Sequence, residues 1–188
     1  WHDNDKAVFG GSNDLQIYHD GTDSFITNST GDLDITNTGD DINITAIDDI
    51  RLKPQNGEQG VTVIGNGAVE LYYDNSKRLR TDQTGIVAVG PSSTDATINM
   101  QANAGSTNAD LWKLTASASS SLFTLTNNAS GSTETNLKAV GNGAVELYYD
   151  NVKKFETTSN GAKISGTAAA FLEISTTSGS HNPMFRGS

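Results

Sequence analysis

The chain has 188 residues, 12 basic and 22 acidic side chains, a formal net charge of -10 and no cysteine. Binding to nucleic acid or to an anionic membrane surface needs clustered Lys and Arg, and none cluster here, so both are excluded as expected partners. The absent cysteines exclude disulfides, thiol catalysis and Cys-type zinc sites.

Apolar residues make up 35% of the chain and charged residues 18%, and Gly, Ser, Thr and Asn fill the remainder. That mixture fits short strands joined by turns. The acidity suits an extended, exposed particle that must stay soluble. No apolar run of about 18 residues occurs, so no membrane insertion is expected. No signal peptide is visible, and a first residue Trp1 in place of Met predicts a fragment or a processed piece.

In chain order, the pattern predicts an N-terminal β segment over residues 1–53, a first repeat module over 54–90 and a β spacer over 91–139. A second repeat module follows over 140–166, then a C-terminal segment of unassigned role over 167–188. The first segment opens with a strand ending in IYH, a hairpin signal at Asp20-Gly21 and a second strand. Short alternating pieces come next: DLDIT with Leu33 and Ile35, DINIT with Ile42 and Ile44, DIRLK with Ile50 and Leu52, VTVIG with Val61 and Val63. Each is preceded by Gly or Asp turn chemistry, and the spacing is that of all-β architectures. AVELYYD then alternates, with Val69, Leu71 and Tyr73 on one face and Ala68, Glu70 and Tyr72 on the other. Asp74-Asn75-Ser76 reads as a turn, KRLRT as a strand carrying Leu79 inward, Gln83-Thr84-Gly85 as a turn and IVAVG as a third strand. The spacer continues in the same style with ATINM, DLWKLTA, SLFTLTN and TNLKAV. The best helix candidate is TAAAFLEIS, Thr167 to Ser175, and it is short.

One stretch is written twice. GNGAVELYYDN runs from Gly65 to Asn75 and again, 76 residues later, from Gly141 to Asn151. The similarity extends without a gap from Ile64–Gly90 to Val140–Gly166, and pairs Lys77 with Lys153, Thr81 with Thr157 and Gly85 with Gly161. A weaker third copy, Gly11 to Thr27, aligns at a shift of 54, with Gly11, Tyr18, Asp20 and Thr27 identical. Strands this short bury little each, whereas a compact globule of this length must bury most of its apolar surface. Two all-β architectures resolve the conflict: an elongated, repeat-built parallel homotrimer sharing one axial core, or a single-chain β-solenoid. In both, modules are copied along an axis.

GNGAVELYYDN, NDLQIYHDG and the spacer run ADLWKLTAS…LTNNASGSTETNLKAV resemble repeats of tail-fibre and other structural proteins of marine tailed phages, notably cyanophages. The resemblance covers Phe9 to Gly166. It implies a virion structural protein, extracellular and located in the tail, as a segment of a trimeric fibre that displays host-recognition sites for a surface polysaccharide. It implies no enzyme activity and no cofactor. No tip domain is recognisable, and the position along such a fibre, shaft or tip, stays open. A bacterial surface adhesin or extracellular filament subunit is the alternative, with a polysaccharide-degrading spike behind it.

The candidate chemistry is sparse. Asp40-Asp41 and Asp48-Asp49 could serve as a glycosidase pair, but each precedes an apolar strand, where turn chemistry accounts for them. Glu70 and Glu146 repeat, which favours a structural hydrogen-bond role. His2, His19 and His181 form no zinc-binding pattern. Three copies of His19 around a trimer axis could hold a metal, against the plainer reading of a strand histidine standing where Tyr73 and Tyr149 stand. TGDD and NSTGDLD carry oxygen ligands for calcium but no complete loop motif. One of Tyr72-Tyr73 and of Tyr148-Tyr149 should pack inward while the other could stack on a sugar, as could Trp112. Asn28, Asn43 and Asn128 lie in glycosylation-like triplets. No catalytic, metal or ligand residue is assigned.

Overall fold

A computed structural model describes residues 1–55, 57–102, 107 and 111–166. Its described residues form fifteen β-strands and no helix. In chain order these are β1 Lys6–Phe9, β2 Leu15–His19, β3 Ser24–Asn28, β4 Ile50–Leu52, β5 Val61–Val63, β6 Val69–Tyr73, β7 Ser76–Asp82 and β8 Gly85–Ala88. Then come β9 Ala96–Gln101, β10 Leu111–Ala116, β11 Leu122–Asn127, β12 Glu134–Val140, β13 Val145–Tyr149, β14 Val152–Thr158 and β15 Gly161–Ile164. The helix candidate at Thr167–Ser175 lies outside the described residues.

The chain divides into two units, Trp1–Thr45 and Ala46–Ser188. The first holds a three-stranded sheet, β1-β2-β3. Its hairpin differs from the expected tight Asp20-Gly21 turn. Four residues separate β2 from β3, because Asp20 Oδ1 accepts from the backbone N–H of Thr22 and Asp23, both at 2.9 Å, and holds the loop open. Tyr18 stacks on Phe25 across the pair with ring centroids 4.9 Å apart. DLDIT and DINIT are not strands, contrary to expectation. They have the alternation, but no neighbouring segment among the described residues pairs with them, and Leu33, Ile35, Ile42 and Ile44 all stay exposed.

The second unit holds a five-stranded sheet, β4-β5-β6-β7-β8, and a seven-stranded sheet, β9 through β15. Within each sheet every strand pairs antiparallel with its sequence neighbour. These are open meanders, not the stacked coils of a β-solenoid. The first module's sheet starts at Ile50, so β4 pairs with it and not with the N-terminal segment.

Register sorts the side chains by face. In the larger sheet Ile98, Leu114, Leu125, Leu137, Leu147, Phe155 and Ile164 stand directly opposite one another, strand after strand. On the other face, Thr97, Thr115, Thr124, Lys138, Glu146, Glu156 and Lys163 form a second unbroken row. In the smaller sheet the apolar row is Leu52, Val61, Leu71, Leu79 and Ala88, and the opposite face carries Arg51, Thr62, Glu70 and Arg80. Each sheet is thus amphipathic. Yet among the described residues no apolar side chain is fully buried. The apolar rows shelter their own members laterally and nothing more.

Candidate functional site

The duplicated module forms the same polar cluster twice. Glu146 lies on β13, Tyr148 two residues later on the same face, and Lys153 on the neighbouring β14. The Tyr148 hydroxyl donates to Glu146 Oε2 at 2.6 Å, and Lys153 Nζ donates to Glu146 Oε1 at 3.0 Å. Lys138, directly opposite on β12, adds an ion pair at 3.3 Å. Lys153 also donates to Glu156, whose other oxygen pairs with Lys163 at 3.5 Å. In the first copy Glu70 accepts from Tyr72 and Lys77 in the same way.

Strict period-two reading does not find the lysines. Lys77 and Leu79 are two apart and should share a face. A bulge at Arg78 shifts the register between Leu71↔Leu79 and Tyr72↔Lys77, so Lys77 turns to the polar side and Leu79 to the apolar side. Lys154 is the equivalent bulge residue in the second copy. The visible sequence signal was the repetition itself, since Lys77 and Lys153 are matched residues.

The rest of the shared sequence also shapes the backbone. Asp74-Asn75 and Asp150-Asn151 both sit at positive φ, which makes the two-residue hairpin turn. Asn75 Oδ1 accepts from the Gln59 N–H, and Asn151 Oδ1 from the Thr135 N–H, each at 2.8 Å. Thr81 and Thr157 accept from the N–H of Val69 and Val145, each at 2.9 Å. The modules also leave one matching open cleft apiece. Asn66, Gly67, Ala68, Thr81, Asp82 and Gln83 line one, and Asn142, Gly143, Ala144, Thr157, Thr158 and Ser159 the other. Several of their polar groups are already engaged: Asp82 Oδ1 alone accepts from the Thr84 N–H and hydroxyl and the Gly85 N–H.

The electrostatics oppose acid–base chemistry at the cluster. The Tyr148 hydroxyl and the Lys153 ammonium hold Glu146 at a pKa of about 2, against an ordinary 4.5. Lys153 likewise lowers Glu156, and is itself raised, chiefly by its bond to Glu156. A glycosidase pair needs one carboxyl raised enough to carry a proton. Both carboxylates here are pushed the other way.

The remaining sequence candidates are scattered. Asp40 and Asp41 lie in the first unit, Asp48 and Asp49 in the second. Asp49 pairs with Arg51 and accepts from the Gly65 N–H at 3.2 Å, a turn role. His19 is an exposed strand residue whose Nδ1 lies 3.1 Å from Ser24 Oγ. The backbone N–H of His2 donates to Asp5, and His181 lies outside the described residues. No group of His, Asp and Glu among the described residues could hold a metal ion. Asn28 Nδ2 donates to the carbonyls of Thr30 and Gly31. Neither tyrosine of each pair enters a closed core: Tyr72 and Tyr148 bond their glutamates, while Tyr73 and Tyr149 are 71% and 75% exposed on the apolar side. Arg78 lies over the Tyr73 ring at 5.7 Å. Trp112 is half-exposed on β10, opposite Met100.

No known protein family, characterised protein or solved structure matches the chain.

Proposed function

We propose that the chain is a non-catalytic structural segment of a phage tail fibre, located in the virion tail outside the cell. It would assemble as a parallel homotrimer and extend host-recognition sites toward a surface polysaccharide. The observation that carries this reading is the double use of one module. Side chains shared by the two copies make the same internal bonds, namely turn, bulge and strand-to-strand ties, and the tyrosine and lysine partners hold Glu70 and Glu146 below the ordinary carboxylate range. Residues copied for chemistry would leave a reactive group free. Residues copied for shape engage one another, as Glu146, Tyr148, Lys153, Asn151 and Thr157 do. The uncovered apolar rows favour assembly over a free-standing chain.

Light scattering on a size-exclusion column tests the reading. A particle of three times 19.8 kDa is expected. A stable monomer would overturn the assembly, and open-ended polymers would favour a filament subunit.

A further inference from the structure

The apolar row of the seven-stranded sheet does not lie alone on its face. Two residues along each strand, toward the Ala116 end of β10, runs a row of mostly small residues: Ala96, Ala116, Phe123, Ala139 and Val145. Two residues the other way, β9 and β10 present the large pair Met100 and Trp112. So β10 is small at one end, large at its middle in Leu114, and largest at the other end. Beside the small end is an apolar hollow of about 160 Å³, lined by Ala88, Ala96, Ile98, Leu114, Ala116 and Phe123. Ala88 belongs to the five-stranded sheet, so the hollow joins the apolar rows of both sheets.

We infer that the occupant of this hollow is Trp112 of a second copy of the chain. The inference rests on the trimeric reading above and names the seam through which the copies meet. Three sheets set around an axis, apolar faces inward and strands running across it, form a three-sided prism. A strand of about six residues spans about 20 Å, so each sheet lies about 6 Å from the axis. That is half the usual separation of packed sheets plus a little, and the central row of Leu, Ile and Phe reaches it. At each corner the end of a strand in one copy meets the start of the same strand in the next. The Ala96–Ala116 end of one copy then receives the Met100–Trp112 end of its neighbour at the same level.

The area is sufficient. Seven strands spaced about 4.8 Å apart and about 20 Å long make a face of about 700 Å². Each copy buries about that much, divided between two neighbours, and three copies together bury about 2,100 Å², the low end of obligate interfaces. No charged residue stands in the central row, and Lys138, Glu146, Glu156 and Lys163 lie on the opposite face, while the row of Trp112 turns polar beyond β10, at Asn127 and Glu134. A large indole filling a small apolar hollow is also the usual form of an interface anchor.

The lack of native cysteine makes the test clean. Trp112→Cys and Ala116→Cys are placed together in one chain. Four residues apart on a strand, they are about 13 Å from each other and cannot join within a chain. Oxidation of the native assembly should give covalently closed three-chain species on a non-reducing gel, and neither single-cysteine variant should. Separately, Trp112→Ala should shift the scattering mass from three chains to one, while Thr124→Ala on the polar face leaves it unchanged. If the unmodified chain is a monomer, the assembly reading itself fails. If it is trimeric but the double cysteine gives no closed species and Trp112→Ala keeps its mass, the trimer stands and this seam is wrong.

Discussion

At the residue scale, Glu146 shows how the repeated module holds a charge. It is nearly enclosed, with 8% of its surface exposed, and accepts from Tyr148 and Lys153 while Lys138 pairs beside it. Its folded pKa of about 2 lies below the ordinary 4.5, so between those values the unfolded chain binds the proton more readily. The stabilisation is complete above 4.5 and disappears as pH falls toward 2. Glu70 and Glu156 are shifted in the same direction and steepen the same window. Urea midpoints measured across that range should fall with acid, and Glu146→Gln should be less stable at neutral pH yet converge on the native curve near pH 2. Parallel curves would show that the cluster does not govern the acid response. The hydroxyl can be tested apart from the charge. Tyr148→Phe removes one charge-assisted bond at a half-exposed site and should cost about 0.5–1.5 kcal/mol at neutral pH.

At the element scale, the two copies of GNGAVELYYDN fold alike but rest on different neighbours. A Cβ on Gly65 would lie 2.6 Å from the Asp48 carbonyl oxygen, which is backbone and cannot turn aside. At Gly141 the nearest atom is Ser121 Cβ at 3.1 Å, a contact that a small movement relieves. Gly65→Ala should therefore destabilise by about 1–3 kcal/mol and Gly141→Ala by clearly less. Equal effects in urea unfolding would mean that the loop adjusts as a unit. The same contrast explains what could be read from the sequence. Alternation and turn residues marked β4 through β8 and β9 through β12, and repetition marked Glu70 and Glu146 as structural. Alternation also marked DLDIT and DINIT, which have no partner strand, because a period reports a face and not a neighbour. The lysines of the clusters were hidden by bulges, since one extra residue reverses the face of everything beyond it. The clefts and the hollow beside Ala96 depend on register between distant strands, which no local pattern encodes.

At the scale of the whole molecule, the second unit presents a thermodynamic problem. Its two sheets are single layers, and a sheet needs a covered apolar face to repay the ordering of its chain. None of its described apolar side chains is fully buried, and Ile98, Phe123 and Leu147 each leave about half of their surface in water. If copies of the chain supply the cover, folding and association are one equilibrium, and stability must depend on concentration. A hundredfold increase in chain concentration contributes up to about 2.7 kcal/mol. For a chain of this size that should raise the thermal midpoint by about 5–10 °C. Circular dichroism in the strand region, recorded from low to high micromolar concentration, measures this directly. A midpoint that does not move, in a particle that scatters as one chain, would mean the sheets are stable with their apolar rows exposed. The expected rise, combined with its loss in Trp112→Ala, would place the missing core between copies. The repeated module would then act as a length unit, each copy adding strands to a seam that no single chain can close.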